Sequence, residues 1–339
     1  MSGADWAITR GRRATIQEVA RRAGVSTATV SRVMSGKTRV SDELAARVRA
    51  VADELGYRPS FAARSLALGT TQMVGMVVPN LANPYFYQVI KSVNLAAVED
   101  GYQIAVADTN EDAEQELELC RSFVDKLDGL LLMSPRMPTR ALRALARETS
   151  NLVLLNRVAP EVGVPTVAID SHGAMLELCG HLLSLGHRRA VYLAGPASSW
   201  SNSERWRAVR QARSFGLEVE QVAAGGTIEA GYDAVEEALT HRASAIICHN
   251  DLVAFGALAR LQELGVRVPD DVSLTGFDDI PFASYGAPSL TTVRSEEDLG
   301  LEGWKLMSRV VRGEPLDDMR LLPARVVVRG STAAPHESA

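Results

Sequence analysis

The sequence predicts a three-helix helix-turn-helix head, a short hinge, and an α/β body of two doubly wound parallel-sheet lobes. Three observations predict it. A capped pair of short helices split by a glycine falls within residues 15–35. From residue 73 onward, short apolar runs alternate with amphipathic segments of helical length, the pattern of repeated β-α units. About 270 residues follow the head, enough for two lobes of ordinary size.

In the head, Thr15 and Glu18 have the spacing of a capping box. Ile16, Val19, Ala20 and Ala23 then form one apolar stripe. Gly24 suits a left-handed helix stop, and Ser26 can cap a second helix. There Val30, Val33 and Met34 point inward, while Thr27, Ala28, Ser31 and Arg32 share another face. A third helix begins at Ser41, with Asp42 and Glu43 complementing its dipole. It carries Leu44, Val48, Val51 and Leu55 inward and stops at Gly56.

The outer face of the second helix is small and polar with one cationic fork. It suits a DNA major groove, where arginine matches guanine O6 and N7; the alternative is a helical hairpin with a solvated face. Through residue 70 there are twelve basic and six acidic residues, whereas the whole chain carries a net charge of −5. A basic module on an acidic body fits phosphate contact confined to one end. Arg10, Arg12 and Arg13 belong to an extension expected to be disordered. After Pro59, residues 60–68 are too few for a stable helix alone in water. Leu66 there either wedges between base steps of the minor groove when the segment orders on DNA, or packs against the body as a linker residue.

The run from Ala14 to Leu68 resembles the DNA-binding head and hinge of the lactose/galactose-repressor (LacI) family of bacterial transcription regulators. The resemblance implies base-reading roles for Thr27, Ala28 and Arg32, with Thr15, Ser26, Thr29 and Ser31 completing the DNA-binding set. It makes Leu66 the minor-groove wedge, with Ala63 and Arg64 its hinge neighbours. It also implies a homodimer on a near-palindromic operator, commonly with a central CG step. Head, hinge and body are expected at 14–58, 59–70 and 71–330.

In the body, strands are expected at Met73–Val78, Tyr102–Ala107, Gly129–Met133, Leu152–Leu155, Val167–Ile169, Ala190–Ala194, Val219–Ala223, Ala245–Cys248 and Val272–Gly276. Helices are expected at Tyr85–Glu99, Glu111–Lys126, Met175–Leu185, Glu229–Leu239 and Leu252–Leu264. Nine strands suggest two sheets, assigned as an N-lobe (71–170 with 294–318) and a C-lobe (171–293 with 319–330), with a disordered tail at 331–339. Four motifs occur in order: Asn80–Phe86; Leu185–Arg189 leading to Gly195-Pro196; Val266–Ser273 leading to Gly276–Asp279; and Pro288–Val293. The body resembles the periplasmic-sugar-binding-protein fold that forms the effector domain of the same family.

Ligands of open α/β sheets bind beyond the carboxyl ends of the strands. Asp278 stands past one such end and can accept two hydroxyl donors. Asn250 both donates and accepts, and is preferred over Asp251, which instead caps the next helix. Tyr85 and Phe86 offer a flat apolar wall. Ser134 and Arg157 also end strands. By the resemblance, Arg205 grips the effector's polar groups. Trp200 either stacks on a sugar or packs between lobes. Gly225-Gly226-Thr227 stands where many relatives carry an aromatic, so a stacking wall is missing there. A sugar or related polyol is the expected ligand, with a nucleobase or phosphorylated compound as the alternative.

Cys120, Cys179 and Cys248 are odd in number and far apart, as in a reducing compartment. No metal-ligand spacing, membrane-length apolar run, signal-peptide core or catalytic loop motif is visible. No catalytic residue, metal or cofactor is therefore expected, and the protein is expected to be cytoplasmic. The leading reading is a homodimeric repressor switched by a small ligand; the rival is a ligand carrier or small-molecule enzyme on the same body.

Overall fold

The computed structural model describes residues 14–35, 40–58, 69–315 and 319–336. The chain divides into two compact units, Met1–Gln72 and Met73–Ala339.

The first unit contains α1 (Ile16–Ala23), α2 (Thr27–Ser35) and α3 (Asp42–Glu54). Its core is the buried set Val19, Ala20, Ala23, Val30, Val33, Val48, Ala52 and Tyr57. Ala52 and Tyr57 join the stripes read from sequence, whereas Leu44, expected inward, is only half-buried. The reason is register: Val48 and Ala52, one turn apart, already fill the face of α3 that meets the other helices. The hinge residues Ala63, Arg64 and Leu66 lie outside the described residues.

In the second unit the N-lobe sheet is entirely parallel, in the order β11-β5-β4-β3-β1-β2. Its strands are β1 (Met73–Val78), β2 (Gln103–Asp108), β3 (Gly129–Met133), β4 (Leu152–Leu155), β5 (Thr166–Ile169) and β11 (Met319–Leu322). The C-lobe sheet runs β7-β6-β8-β9, with β6 (Arg189–Ala194), β7 (Glu218–Ala223), β8 (Ala245–Cys248) and β9 (Ser273–Thr275). In each sheet the second strand lies on one side of the first and the third on the other. The two lobes therefore share one winding, and each has a switch point, between β1 and β3 and between β6 and β8.

Alternation along the strands fills two apolar layers per lobe. Val74, Met76, Leu131 and Met133 face one N-lobe layer, and Val77, Leu130 and Leu132 the other. Ala190, Tyr192 and Ile247 face one C-lobe layer, and Val191, Leu193 and Ile246 the other. The helices are α4 (Pro84–Glu99), α5 (Ala113–Val124), α6 (Thr139–Glu148), α7 (Ser171–Ser184), α8 (Trp200–Ala212), α9 (Ile228–Asp233), α10 (Val235–Thr240), α11 (Asp251–Glu263) and α12 (Leu299–Val311).

All nine expected strands are present, most within one residue of their expected ends. The expected helix Glu229–Leu239 is broken into α9 and α10. Gly231 of α9 and Gly256 of α11 let the two backbones touch, because a Cβ on either would strike the carbonyl of Val253 or Ile228. Three helices carry no expectation from sequence: α6 and α8, whose faces are crowded with arginine, and α12.

Two boundaries need correction. Met319–Leu322, assigned from sequence to the C-lobe, pairs in parallel with Thr166–Ile169 and is the edge strand of the N-lobe. The chain then returns as β12 (Ala324–Val327), antiparallel to β10 (Thr292–Ser295), in a two-stranded ribbon. The segment 331–336 is also not the disordered tail that its Ala/Ser/Pro content suggests. Ser331 is buried; its hydroxyl donates to the Leu274 carbonyl and accepts from Thr291 N–H. The Ala333 carbonyl accepts from Ser273 Oγ and the Ser331 carbonyl from Leu274 N–H, so long-range pairing supplies what composition hides.

Leu131 is fully buried between β1 and β4. Leu131→Ala should cost the body about 2–5 kcal/mol, read as a lower urea midpoint at unchanged slope.

Candidate functional site

The head builds its exposed face from its caps. Thr15 Oγ1 accepts from Glu18 N–H at 3.3 Å while Glu18 Oε2 accepts from Thr15 N–H at 2.7 Å, fixing the start of α1. Gly24 (φ 66°) turns the chain in the left-handed region. Ser26 Oγ then accepts from Thr29 N–H at 3.1 Å, starting α2 after three intervening residues. With Val30 and Val33 buried, Thr27, Ala28 and Arg32 are exposed and Thr29 and Ser31 half-exposed. Among the described residues, Arg22 is bound to Glu54 and Arg58 to Asp53.

The body's site lies at the carboxyl ends of the strands, where both switch points face one narrow cleft with about 30 Å³ of open space. From the N-lobe come Asn80, Tyr85 and Phe86 after β1, Glu111 after β2, Ser134 and Arg136 after β3, and Asn156 after β4. From the C-lobe come Pro196, Ser199, Ser201 and Arg205 after β6, His249 and Asn250 after β8, and Asp278 after β9. Asn83 caps α4 by accepting from Tyr85 N–H, which sets the two aromatics edge to face at 5.4 Å. Ser134, Asn156 and Asp278 all sit at positive φ (46°, 55° and 108°), backbone strain of the kind that gathers at binding sites.

Six of the eight residues singled out from sequence, Tyr85, Phe86, Ser134, Arg205, Asn250 and Asp278, line this cleft. Trp200 does not. It is the first residue of α8, and its neighbours Ser199 and Ser201 line the cleft instead. Asn250 lines the cleft as expected, but it also takes the helix-capping role expected of Asp251. Asn250 is the N-cap of α11, accepting from Val253 N–H, and its amide also donates to the Gly226 carbonyl. Asp251 is fully buried, accepting from Thr292 Oγ1 and Ile280 N–H. Glu111, Arg136 and His249 were missed, although the strand-end rule that selected Ser134 and Asn250 also points to their neighbours.

Each lobe contributes one paired arginine. Arg136 is bound to Glu111 and donates to the Ser134 carbonyl at 3.1 Å. Arg205, nearly fully buried, lies 3.4 Å from Asp278, donates to the His249 carbonyl and covers the Phe277 ring at 3.5 Å. Burial lifts the Asp278 carboxyl to about 7 against the pull of Arg205. Burial also raises the Tyr85 phenol, with the Asp278 charge adding to it. His249 is held well below its ordinary value by burial, then by Arg205 and Arg136. Among the described residues nothing bonds to Tyr85 Oη, Ser201 Oγ or Arg205 Nε; all three belong to cleft residues, and a bound ligand can satisfy such groups.

The loop after β3 is held through its backbone. Glu116 accepts from the N–H groups of Arg136 and Met137 at 2.9 and 2.6 Å. Arg157, expected as a weaker ligand candidate, instead donates to the carbonyls of Pro135 and Met137 at 2.7 Å each. Burial raises the Glu116 carboxyl to about 7 despite these bonds.

The chain was compared with known proteins. The family model described as "Bacterial regulatory proteins, lacI family" matches residues 15–60, and that described as "Periplasmic binding protein-like domain" matches residues 179–332. The HTH-type transcriptional repressor CytR of Escherichia coli (strain K12) is 33% identical, covering 95% of this chain and 97% of the relative. The ribose operon repressor of Halalkalibacterium halodurans is 32% identical, covering 94% and 97%. Among solved structures, the lac repressor dimer bound to operator and the anti-inducer ONPF aligns with a TM-score of 0.84 at 26% identity, covering 95% of this chain and 100% of that one. A transcriptional regulator CelR–cellobiose complex aligns with a TM-score of 0.69 at 29% identity, covering 94% and 100%.

Because the folded Glu116 holds its proton more tightly than the unfolded one, its contribution favours folding below about pH 4.5 and is lost as pH rises through about 7. Glu116→Gln should remove that slope. The variant should gain up to about 3 kcal/mol relative to the parent between pH 4.5 and 8, measured by urea unfolding; identical pH slopes would contradict the assignment.

Proposed function

The chain belongs to the lacI family of bacterial regulatory proteins, and we propose that it is a cytoplasmic, non-catalytic repressor. In this reading a homodimer binds a near-palindromic operator, and a sugar or related polyol bound between the lobes sets its operator affinity. The observation that carries the reading is one chain holding both an exposed Thr27–Ala28–Arg32 face on a basic head and a polar cleft between two similarly wound lobes. Relatives named as repressors over nearly their full length support it, as do solved relatives described with operator DNA and with cellobiose.

On the head, Arg32 reads a guanine while Thr27 and Ala28 make short polar and methyl contacts. The hydroxyls of Thr15, Ser26, Thr29 and Ser31 position the helix on phosphate and sugar. Ala63, Arg64 and Leu66 act at the minor groove, with Leu66 as the wedge. In the body, Asp278, Arg205, Asn250 and Ser134 take the ligand's hydroxyls and Tyr85 and Phe86 its ring face. Two exposed apolar patches suit contact with a second copy. One is the outer face of α4 with the β2 edge (Tyr87, Leu95, Val98, Val106), and the other is the turn carrying Phe282 and Tyr285.

Selection of duplexes from a random pool by the full-length chain should recover a two-fold symmetric site. Arg32→Ala should lose discrimination at one symmetric base pair, worth about 1–3 kcal/mol per contact. Retention of the selected site no better than random duplex at moderate salt would sink the regulator reading.

A further inference from the structure

We propose that His249 is a specificity-determining residue of the cleft, a fixed hydrogen-bond acceptor whose bare Nε2 reads an O–H or N–H donor and turns away anionic ligands. The inference rests on the cleft being the ligand site and names the ligand's character there: neutral, with a donor facing β8.

A chain of polarity fixes the tautomer. The Gly195 N–H can only donate, and it bonds to Asn202 Oδ1 at 2.9 Å, so that atom is the amide oxygen. The same oxygen is 2.8 Å from Tyr192 Oη and takes the single phenolic proton. Tyr192 Oη can then meet His249 Nδ1, 3.4 Å away, only as an acceptor. The imidazole proton therefore sits on Nδ1, leaving a lone pair on Nε2. The ring lies against Gly195, in the space that a Cβ there would fill. Burial beside Arg205 and Arg136 keeps the imidazole neutral. Among the described residues nothing donates to Nε2, and His249 lines the cleft.

This lone pair settles a competition that the arginines leave open. Two guanidiniums suggest an anion at first sight. Each is already engaged, Arg136 with Glu111 and the Ser134 carbonyl, Arg205 with Asp278 and the His249 carbonyl, so neither guanidinium is wholly free for an anion. A phosphate or carboxylate oxygen has no proton to offer Nε2 and would set lone pair against lone pair at a desolvated site. A hydroxyl or amino group completes it.

The test has a ligand-free arm and a ligand arm, both on the full-length chain. Histidine ¹⁵N spectra at pH 7, with the His249 signals identified by their loss in His249→Gln, should show a neutral Nδ1–H tautomer with unprotonated Nε2. An Nε2–H tautomer or an imidazolium would overturn the proposal. Melting curves with D-ribose and ribose 5-phosphate, D-glucose and glucose 6-phosphate, and adenosine and its 5′-monophosphate supply the second arm. In any pair that binds, the neutral member should bind at least tenfold more tightly; preference for the phosphate overturns the proposal. His249→Leu should weaken that neutral ligand about tenfold or more, with His249→Gln restoring part through its amide oxygen. If Arg205→Leu abolishes binding while His249→Leu leaves it unchanged, the acceptor role fails and the cleft stands. If neither variant moves the affinity, the cleft reading fails with it.

Discussion

Two consecutive aspartates after β9 hold the body's site and its lobe crossing in one loop. Asp278, at φ 108°, pairs with Arg205 in the cleft wall. Asp279, at φ 49°, binds Arg294 of β10 and Arg329 just past β12. The next residue, Ile280, donates its N–H to the buried Asp251, which also accepts from Thr292 Oγ1 of β10. Neighbouring carboxylates thus answer to the cleft on one side and to the ribbon joining the lobes on the other. Such a loop cannot shift for a ligand without disturbing ion pairs at the crossing, which is the physical requirement for coupling binding to lobe geometry.

The electrostatics of the cleft follow from the same economy of pairing. Arg136 and Arg205 enter from opposite lobes, each with its own carboxylate. Burial pushes Asp278 up to about 7 and His249 well down, both toward the uncharged form. The result is a polar site with Tyr85 Oη, Ser201 Oγ and Arg205 Nε left without partners among the described residues. Hydrogen-bond direction, rather than charge, is what such a site reads.

Much of this was legible in the sequence. Thr15, Glu18, Gly24 and Ser26 announce the helix pair because caps and left-handed stops are local chemistry. The β-strands were legible because parallel strands buried on both faces read as continuous apolar runs; strand ends then named Ser134, Asn250 and Asp278, and the family resemblance named Arg205. What stayed hidden depends on long-range pairing. Met319–Leu322 looks like a C-lobe strand until its parallel partner Thr166–Ile169 is known. Ser331 looks like tail until it meets Leu274 and Thr291. Asn250 and Asp251 are adjacent and chemically similar, so only the direction in which α11 starts decides which one caps it. Trp200 was chosen for its ring, but the turn of α8 brings its small neighbours to the cleft instead.

The most direct test of the account is thermodynamic linkage between its two ends. The dissociation constant of the selected operator duplex is measured for the full-length chain with and without saturating amounts of a neutral polyol that raises its melting temperature. The account predicts a change of at least tenfold, about 1.4 kcal/mol, and the same factor in the polyol's affinity when operator is bound. An operator affinity that does not move while the polyol fills the cleft would contradict it.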